Sequence, residues 1–484
     1  LATGAVLAGR SPVIIYPSDQ TIVPVNMFKV LFQWSTGTGN DLFRLELRGP
    51  QVVVSVYTTL DRYEPTAAEW ALLARSAAGG EVTWTVYGTA RSAPSQVYRS
   101  APVRLGFSRS AVEGAIYYWS TSVAGIRRAT VSDQAPTDFL TPTQTGKCVA
   151  CHTLSRNGQR LAADVGGQTL GVVAVRNPSP PVISWTQDID TAWTTFSPDT
   201  SLVVTANKGV LTLRSGSTGA AMGTVPVGAG KFGTQPDWSP SGKLLAFAFS
   251  TSNKDRGVTG SSIALASFDG VAFAVPRVLV ASSGANDTLV YPNFSADSAW
   301  VAYVRATGSS DNNATARVYL VAVSGGAPIE LGAANTIVNN AVVTGKDANL
   351  ADNMPTWAPT KAGDLAFLAF TSQRAYGKVY PANDVKQIWV SAIDLAGAAS
   401  GTGKDPSAPA FRLPFQELKE NNHRPFWAED ALAPPPAPDG GVGGVDGGAC
   451  LPLHGDCRSG AACCAPNVCS FDGVKAFTCE APLG

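Results

Sequence analysis

Residues 236–247, PDWSPSGKLLAF, are the stretch that decides the fold. A turn of Pro, Ser and Gly between an aromatic residue and an apolar run is typical of a tight β-hairpin. The same motif recurs along the chain at spacings that widen from roughly 40 to roughly 70 residues. A propeller blade typically takes about 40–45 residues. Its copies centre on Leu154, Phe196, Trp238, Phe294, Trp357 and Trp427. Each copy predicts one four-stranded blade, and together they predict a six-bladed β-propeller.

The phrase resembles the repeat of the TolB-like β-propeller family, P-x-W-S-P-D-G followed by an apolar strand. The resemblance covers about residues 114–430, and residues 238–243, WSPSGK, nearly reproduce the repeat. The copies at Ala358 and Ala428 have alanine where the repeat has serine, which predicts weaker hairpins in those two blades.

The two ends of the repeat region predict how the ring closes. The segments GAIYYWS and GIRRATV, at about 114–130, read as outer strands with no inner strand before them. The last copy, at Trp427, supplies an inner strand but runs into a Pro/Gly-rich stretch. One blade built from both ends accounts for both observations, so an N-terminal strand pair is expected to clasp the ring.

The whole chain is predicted to be all-β with four parts. Residues 1–110 alternate apolar and polar residues at period two around Trp34, with one or two helical turns expected at 65–80. This part resembles a fibronectin III or immunoglobulin-like β-sandwich. Residues 111–431 form the predicted propeller, 432–449 a Pro/Gly linker and 450–484 a disulfide-rich mini-domain.

Six cysteines are crowded into the last part of the chain. Their order C…C…CC…C…C resembles the inhibitor cystine-knot framework, which implies the bridges Cys450–Cys464, Cys457–Cys469 and Cys463–Cys479. The spacing alone leaves all fifteen pairings of six cysteines open. Bridges of this kind indicate an oxidising compartment.

The motif that carries chemistry is Cys148-Val149-Ala150-Cys151-His152, the C-x-x-C-H pattern that attaches c-type haem. The two thiols form thioethers to the macrocycle, and the imidazole reaches the iron as proximal ligand. The alternatives are a Cys148–Cys151 redox disulfide and half of a zinc site. Covalent attachment of one haem c is favoured.

The repeat alignment places this motif at the mouth of the propeller, where the inner strands begin. In the alignment of the repeats, His152 occupies the position of Pro236. The haem is therefore expected above the central channel. Met354 and His423 belong to the same mouth and are the two candidates for the second axial ligand; open or water coordination is the third possibility. Lys147 and Arg424 are candidate partners for the haem propionates. The other histidine and methionines, His454, Met27 and Met222, are expected in the tail, the sandwich and an outer strand.

Composition narrows the function. The 36 basic and 36 acidic residues balance, which disfavours nucleic acid or an anionic membrane as partner. No apolar run approaches the ~20 residues that span a bilayer, so no transmembrane segment is expected. The start, LATGAVLAGR, looks like a mature form whose export signal has been removed. The expected location is the periplasm, the outer-membrane surface or the extracellular space.

These observations favour an extracytoplasmic monohaem c-type cytochrome that transfers electrons to an unidentified redox partner protein. Electron transfer along a larger distance would need homo-assembly or a multihaem cytochrome as partner. Two alternatives stay open: a haem enzyme with an open iron site, acting as a peroxidase or on a small molecule, and an envelope binding or structural protein that forms larger assemblies.

Overall fold

The structure is a computed structural model, and it describes residues 4–176, 183–187, 189, 193–336, 350–380 and 385–432, with the backbone of 468–471 and 477–480. It divides into two compact units, Leu1–Leu432 and Ala433–Gly484. The prediction of an all-β chain is confirmed for the described residues. No helix among them is long and apolar enough to span a membrane.

The N-terminal part consists of two sheets and one helix. The elements are β1 (Val13–Tyr16), β2 (Thr21–Val23), β3 (Phe32–Ser35), β4 (Leu42–Arg48), β5 (Val53–Thr58), β6 (Arg62–Tyr63), α1 (Ala67–Ser76), β7 (Glu81–Thr89), β8 (Tyr98–Arg99) and β9 (Val103–Phe107). One sheet has the order β1-β3-β6, and the other has the order β2-β9-β7-β4-β5 with β8 on β7.

The period-two pattern explains these sheets. Along β4, every second residue is buried, and Phe43, Leu45 and Leu47 lie in the core beside the fully buried Trp34. The predicted helical turns are α1, which begins with a capping box between Thr66 and Glu69. The parallel pair β2–β9 is a feature that the sequence did not predict, and the likeness to fibronectin III or immunoglobulin domains stays a prediction.

Six four-stranded sheets follow one another in chain order and form the propeller. Their elements are β10 (Ala115–Ser120), β11 (Gly125–Ala129), β12 (Thr137–Leu140), α2 (Pro142–Thr145), β13 (Val149–Leu154), β14 (Arg160–Val165), β15 (Thr169–Ala174), β16 (Ile183–Gln187), β17 (Trp193–Phe196), β18 (Leu202–Asn207), β19 (Val210–Ser215), β20 (Ala221–Thr224), β21 (Phe232–Trp238), β22 (Leu244–Ser250), β23 (Ser262–Ser267), β24 (Arg277–Val280), β25 (Asp287–Phe294), β26 (Trp300–Thr307), β27 (Arg317–Ala322), β28 (Ile329–Glu330), β29 (Asn353–Trp357), β30 (Ala366–Ser372), β31 (Gln387–Ile393), α3 (Leu395–Ala399), β32 (Phe411–Arg412) and β33 (Asn422–Ala428).

Blades 1 to 5 are β13–β16, β17–β20, β21–β24, β25–β28 and β29–β32, each antiparallel with its first strand innermost. Blade 6 has the order β12-β11-β10-β33, so its inner strand comes from the far end of the repeat region. The predicted closure by both ends is confirmed. The N-terminal contribution is three strands rather than the predicted pair, because Thr137–Leu140 adds an outer strand.

The repeat residues have clear structural roles. The aromatic residue is buried in the core, and the Trp238 indole donates to the carbonyl of Gly242 at 3.0 Å. The serine closes the hairpin: the Leu244 N–H donates to Ser239 Oγ at 3.0 Å, and the same bond recurs at Ser197 and Ser295. The alanines at 358 and 428 cannot accept this bond.

The N-terminal sheets pack against blade 5. The Arg412 N–H donates to the Tyr16 hydroxyl at 3.0 Å, and the Lys378 N–H donates to Gln33 Oε1 at 2.9 Å. Trp34 and Trp389 belong to one continuous buried cluster. The sheets and the propeller therefore form a single compact unit.

In the second unit, β34 (Val468–Phe471) and β35 (Phe477–Glu480) form an antiparallel pair in which Cys469 stands opposite Cys479. The predicted linker, 432–449, lies outside the described residues from 433 onward, and so do the cysteine side chains of the predicted bridges.

Candidate functional site at the mouth of the propeller

The inner strands share a backbone feature at the mouth. A residue with positive φ stands at the same point of five blades, and in four of them proline follows it. The ladder to the second strand shifts register there, as at a β-bulge, which re-aims the side chains. The positive-φ residues are Cys151, Gln235, Tyr291, Met354 and Arg424.

The mouth holds a small cavity of about 50 Å³. Gln235, Tyr291, Met354 and Arg424 line it. Trp193 also lines it, and its ring lies 4.2 Å from the Arg424 guanidinium. The sequence analysis missed Trp193 because Thr194 replaces the repeat proline in blade 2. Trp193 lies three residues before the aromatic Phe196, as the other wall residues do before theirs, and this spacing would have identified it.

Cys148 and Cys151 are both free, Cys148 exposed and Cys151 partly exposed. Arg256 Nη2 lies 3.5 Å from Cys151 Sγ, and Cys151 packs against the cluster that contains Tyr291 and Met354. Cys148 precedes β13, and Cys151 stands at the bulge of that strand. The redox-disulfide alternative stays open.

His152 points away from the cavity. Its side chain is fully buried between blade 1 and blade 6, and Nε2 lies 3.1 Å from the carbonyl oxygen of Tyr117. A carbonyl only accepts, so Nε2 carries the proton and Nδ1 carries the lone pair. Nδ1 is buried with no hydrogen-bond partner among the described residues. Burial and the Arg424 charge lower the pKa of His152 to about 3, so the ring is neutral at ordinary pH.

His423 also lies outside the cavity wall. Its ring packs on Trp119 at 5.3 Å, and its Nε2 is buried with no hydrogen-bond partner among the described residues. Burial and the nearby Lys386 lower the pKa of His423 to about 3. Of the two predicted second ligands, the structure places Met354 in the cavity wall and His423 behind it. Lys147 is exposed, with its aliphatic stem over Gly166.

Arg424 is the basic residue that lines the cavity, and Asp237 is the acidic one. Its Nη2 donates to Thr153 Oγ1 at 3.0 Å, which joins the inner strands of blades 6 and 1. Burial lowers the pKa of Arg424 to about 10, so the guanidinium keeps its charge at neutral pH. A permanent positive charge therefore stands beside Cys151.

The donor set fits covalent haem in part. The thiols are free and reachable, and the His152 imidazole has one nitrogen bonded to a carbonyl and a lone pair on the other, as in a ligating histidine. The ring itself is enclosed by protein, and the cavity is far smaller than the ~300–1,000 Å³ of pockets that bury a ligand of haem size. The cavity is therefore too small for a macrocycle, and the part of the motif that solvent reaches most is the exposed Cys148.

No cluster of three or more His, Cys, Asp and Glu side chains suited to a metal ion occurs among the residues that the structure describes. The zinc alternative thus finds no completing ligands in that part of the chain.

A second polar cluster, which the sequence did not predict, contains Asp237 and Asn293, which also line the cavity. Arg156 Nη2 lies 2.6 Å from Asp237 Oδ2, which also accepts from the Phe294 N–H at 2.7 Å. Asn293 donates to Asp237 Oδ1 at 3.1 Å. Burial raises the pKa of Asp237 although Arg156 opposes that shift. This cluster ties blades 1, 3 and 4 together.

The fold and the mouth define the class, a six-bladed β-propeller with an N-terminal β domain. No family model matches the chain, and no curated protein matches it. Among solved structures, a putative TolB from Agrobacterium tumefaciens is 16% identical with a TM-score of 0.36, covering 63% of this chain and 89% of that one. TolB from Acinetobacter baumannii is 14% identical with a TM-score of 0.42, covering 73% and 80%. The β-propeller domain of Cps50 (Swd1) from Myceliophteria thermophila is 8% identical with a TM-score of 0.36, covering 64% and 89%. These values are too low to carry functional conclusions, and the propeller assignment rests on the sheet topology.

Proposed function

We propose that this chain is an exported electron-transfer protein, a c-type cytochrome that carries one haem on Cys148 and Cys151 at the mouth of the propeller. The observation that supports the proposal is the pair of free thiols directly before a neutral histidine, on the inner strand whose mouth also holds Met354 and Arg424. Redox-active haem proteins of this type need covalent anchoring, an imidazole and a tuned second ligand.

Haem, when attached, supplies an iron that accepts and releases one electron. Cys148 and Cys151 would hold it, and His152 would ligate it. Met354 and His423 are the residues that could complete the coordination, and an open site is the remaining possibility. The Arg424 guanidinium and the Lys147 ammonium would offset the charge of carboxylate groups on the macrocycle.

The test is a pyridine haemochrome assay on the purified full chain, with mass spectrometry of the intact protein. The matched control is the double variant Cys148→Ala, Cys151→Ala, which keeps every other residue of the mouth. The proposal expects one haem per chain in the parent and none in the variant. A colourless parent made in cells with a working haem-attachment system would contradict it.

The absorption spectrum of the iron distinguishes an electron-transfer protein from a haem enzyme. A low-spin spectrum with a sulfur-to-iron band is expected for transfer through a methionine-ligated iron. A high-spin ferric spectrum would favour the enzyme alternative, in which His423 acts as a distal acid or base instead of a ligand.

One observation favours a second candidate, an envelope binding propeller without a redox role. His152 is fully buried and bonded to Tyr117, which is what a purely structural histidine does. If the parent is colourless and folds as well as the double variant, this candidate replaces the first.

A further inference from the structure

The contacts between blades 6 and 1, here called the seam, differ from those at the four junctions from blade 2 to blade 6. At the junction of blades 1 and 2, Thr153 Oγ1 donates to the Thr194 carbonyl at 2.9 Å. In blades 2 to 5 the residue before the aromatic accepts a hydrogen bond from the backbone N–H of the next blade's aromatic residue. The four bonds are Trp238 N to Thr195 at 3.0 Å, Phe294 N to Asp237 at 2.7 Å, Trp357 N to Asn293 at 3.0 Å and Trp427 N to Thr356 at 3.4 Å.

The equivalent residue of blade 6 is Phe426, whose side chain has no polar atom. The seam therefore lacks this bond. His152 supplies a replacement from the opposite side, by donating from Nε2 to the Tyr117 carbonyl. The ladder between β10 and β33 shifts register just after Tyr117, and such a shift leaves backbone groups outside the ladder.

We infer that His152 is the latch of the seam, and that this use of the ring excludes its use as an iron ligand. Only the second statement, that the ring cannot also ligate iron, rests on the proposed function. Nε2 cannot donate its proton to Tyr117 and at the same time offer a lone pair to a metal. Nδ1 has the lone pair but is enclosed by protein. The haem-bearing chain therefore has an unlatched seam, and the haem-free chain has a latched one.

Other contacts keep the seam together when the latch is open. The Val149 N–H donates to the Ala124 carbonyl at 3.0 Å, and the Glu429 N–H donates to the Arg156 carbonyl at 2.9 Å. Arg424 bonds Thr153 across the same junction. Loss of the latch is thus expected to loosen blade 6 locally without opening the ring.

The test is amide hydrogen exchange of the full chain, read on β10 and β33. In the haem-free Cys148→Ala, Cys151→Ala background, His152→Phe should speed exchange on these strands roughly two- to tenfold, the effect of losing one net hydrogen bond. His152→Gln, which keeps a donor, should restore protection. Thr195→Val is the matched control, because it removes the corresponding bond between blades 2 and 3 and should affect blade 3 instead.

The haem-loaded parent should exchange on β10 and β33 as fast as His152→Phe does. Equal protection of the loaded parent and the haem-free double variant would overturn the exclusion of the two uses. Unchanged exchange in His152→Phe would overturn the latch. If the parent carries no haem, the proposed function is wrong. The latch is then tested only by comparing the exchange rates of His152→Phe and His152→Gln.

Discussion

Two turn glycines offer a sharp test of how the ring closes. Gly158 in blade 1 and Gly242 in blade 3 occupy the same position of the repeat hairpin, with φ of 66° and 75°. Each donates its N–H to the serine carbonyl three residues earlier, at 2.9 Å. They differ in their surroundings. A Cβ on Gly158 would lie 1.9 Å from the carbonyl oxygen of Glu429, whereas a Cβ on Gly242 would meet nothing closer than 3.9 Å.

Gly242→Ala should therefore cost only the strain of a left-handed alanine, about 1–2 kcal/mol. Gly158→Ala should cost the same strain and also push the last strand of blade 6 aside. Overpacking of this kind costs about 1–3 kcal/mol. The difference between the two variants isolates the contact at the seam, since the turn and the substitution are the same.

The assay is thermal unfolding of both variants beside the parent. For the Leu1–Leu432 unit, an unfolding entropy of about 2.1 cal/mol/K per residue gives about 0.9 kcal/mol/K. Gly158→Ala should thus melt about 1–3 °C below Gly242→Ala. Equal melting temperatures would refute the packing of Glu429 against the first hairpin.

Three further outcomes are expected. Asp237→Ala should lower the free energy of unfolding by about 3–5 kcal/mol in urea titrations, because Arg156 loses its buried partner; Asp237→Asn, which keeps an acceptor for the Phe294 N–H, should cost less. In the haem-free double variant, the unfolded state binds a proton at His152 below about pH 6.5 while the folded state, with a pKa of about 3, does not; His152 should therefore make stability fall by about 1.4 kcal/mol per unit as the pH drops from 6 to 4, and His152→Gln should remove this contribution while the similar one of His423 remains. In the haem-bearing protein, Met354→Leu should lower the reduction potential and abolish the sulfur-to-iron band, whereas Met222→Leu, 61% exposed on β20, should change neither in voltammetry and absorption spectra.

The blades were predictable because the repeat encodes local chemistry. The aromatic residue, the serine and the glycine of each copy bond within their own hairpin. A copy of the motif seen at Trp238 therefore predicts a hairpin wherever it occurs in the sequence. The outer strand Thr137–Leu140 was missed because TDFL is short and lacks an alternating pattern. Its pairing depends on β11, which lies beside it only after folding.

The candidate site was predictable in position but not in orientation. The alignment placed Met354 and Arg424 at the mouth, where both line the cavity, since equivalent positions of a ring converge on its axis; it also placed His423 there, which lies behind the wall. It could not show which way His152 faces, because the bulge at Cys151 interrupts the alternation of side chains along β13. The Arg156–Asp237 cluster joins blades that are far apart in sequence, and no periodic pattern in the sequence predicts such a pair.

The pairing of β10 with β33 also determines how the ring responds to a pull. Ala115, where the chain arrives from the N-terminal sheets, stands directly opposite Ala428, where the chain leaves the ring. Tension applied through the two flanking segments therefore acts at one end of an antiparallel pair and peels its bonds apart one after another, instead of loading them together in shear. We therefore expect blade 6 to open before the other five blades when the chain is pulled in this way.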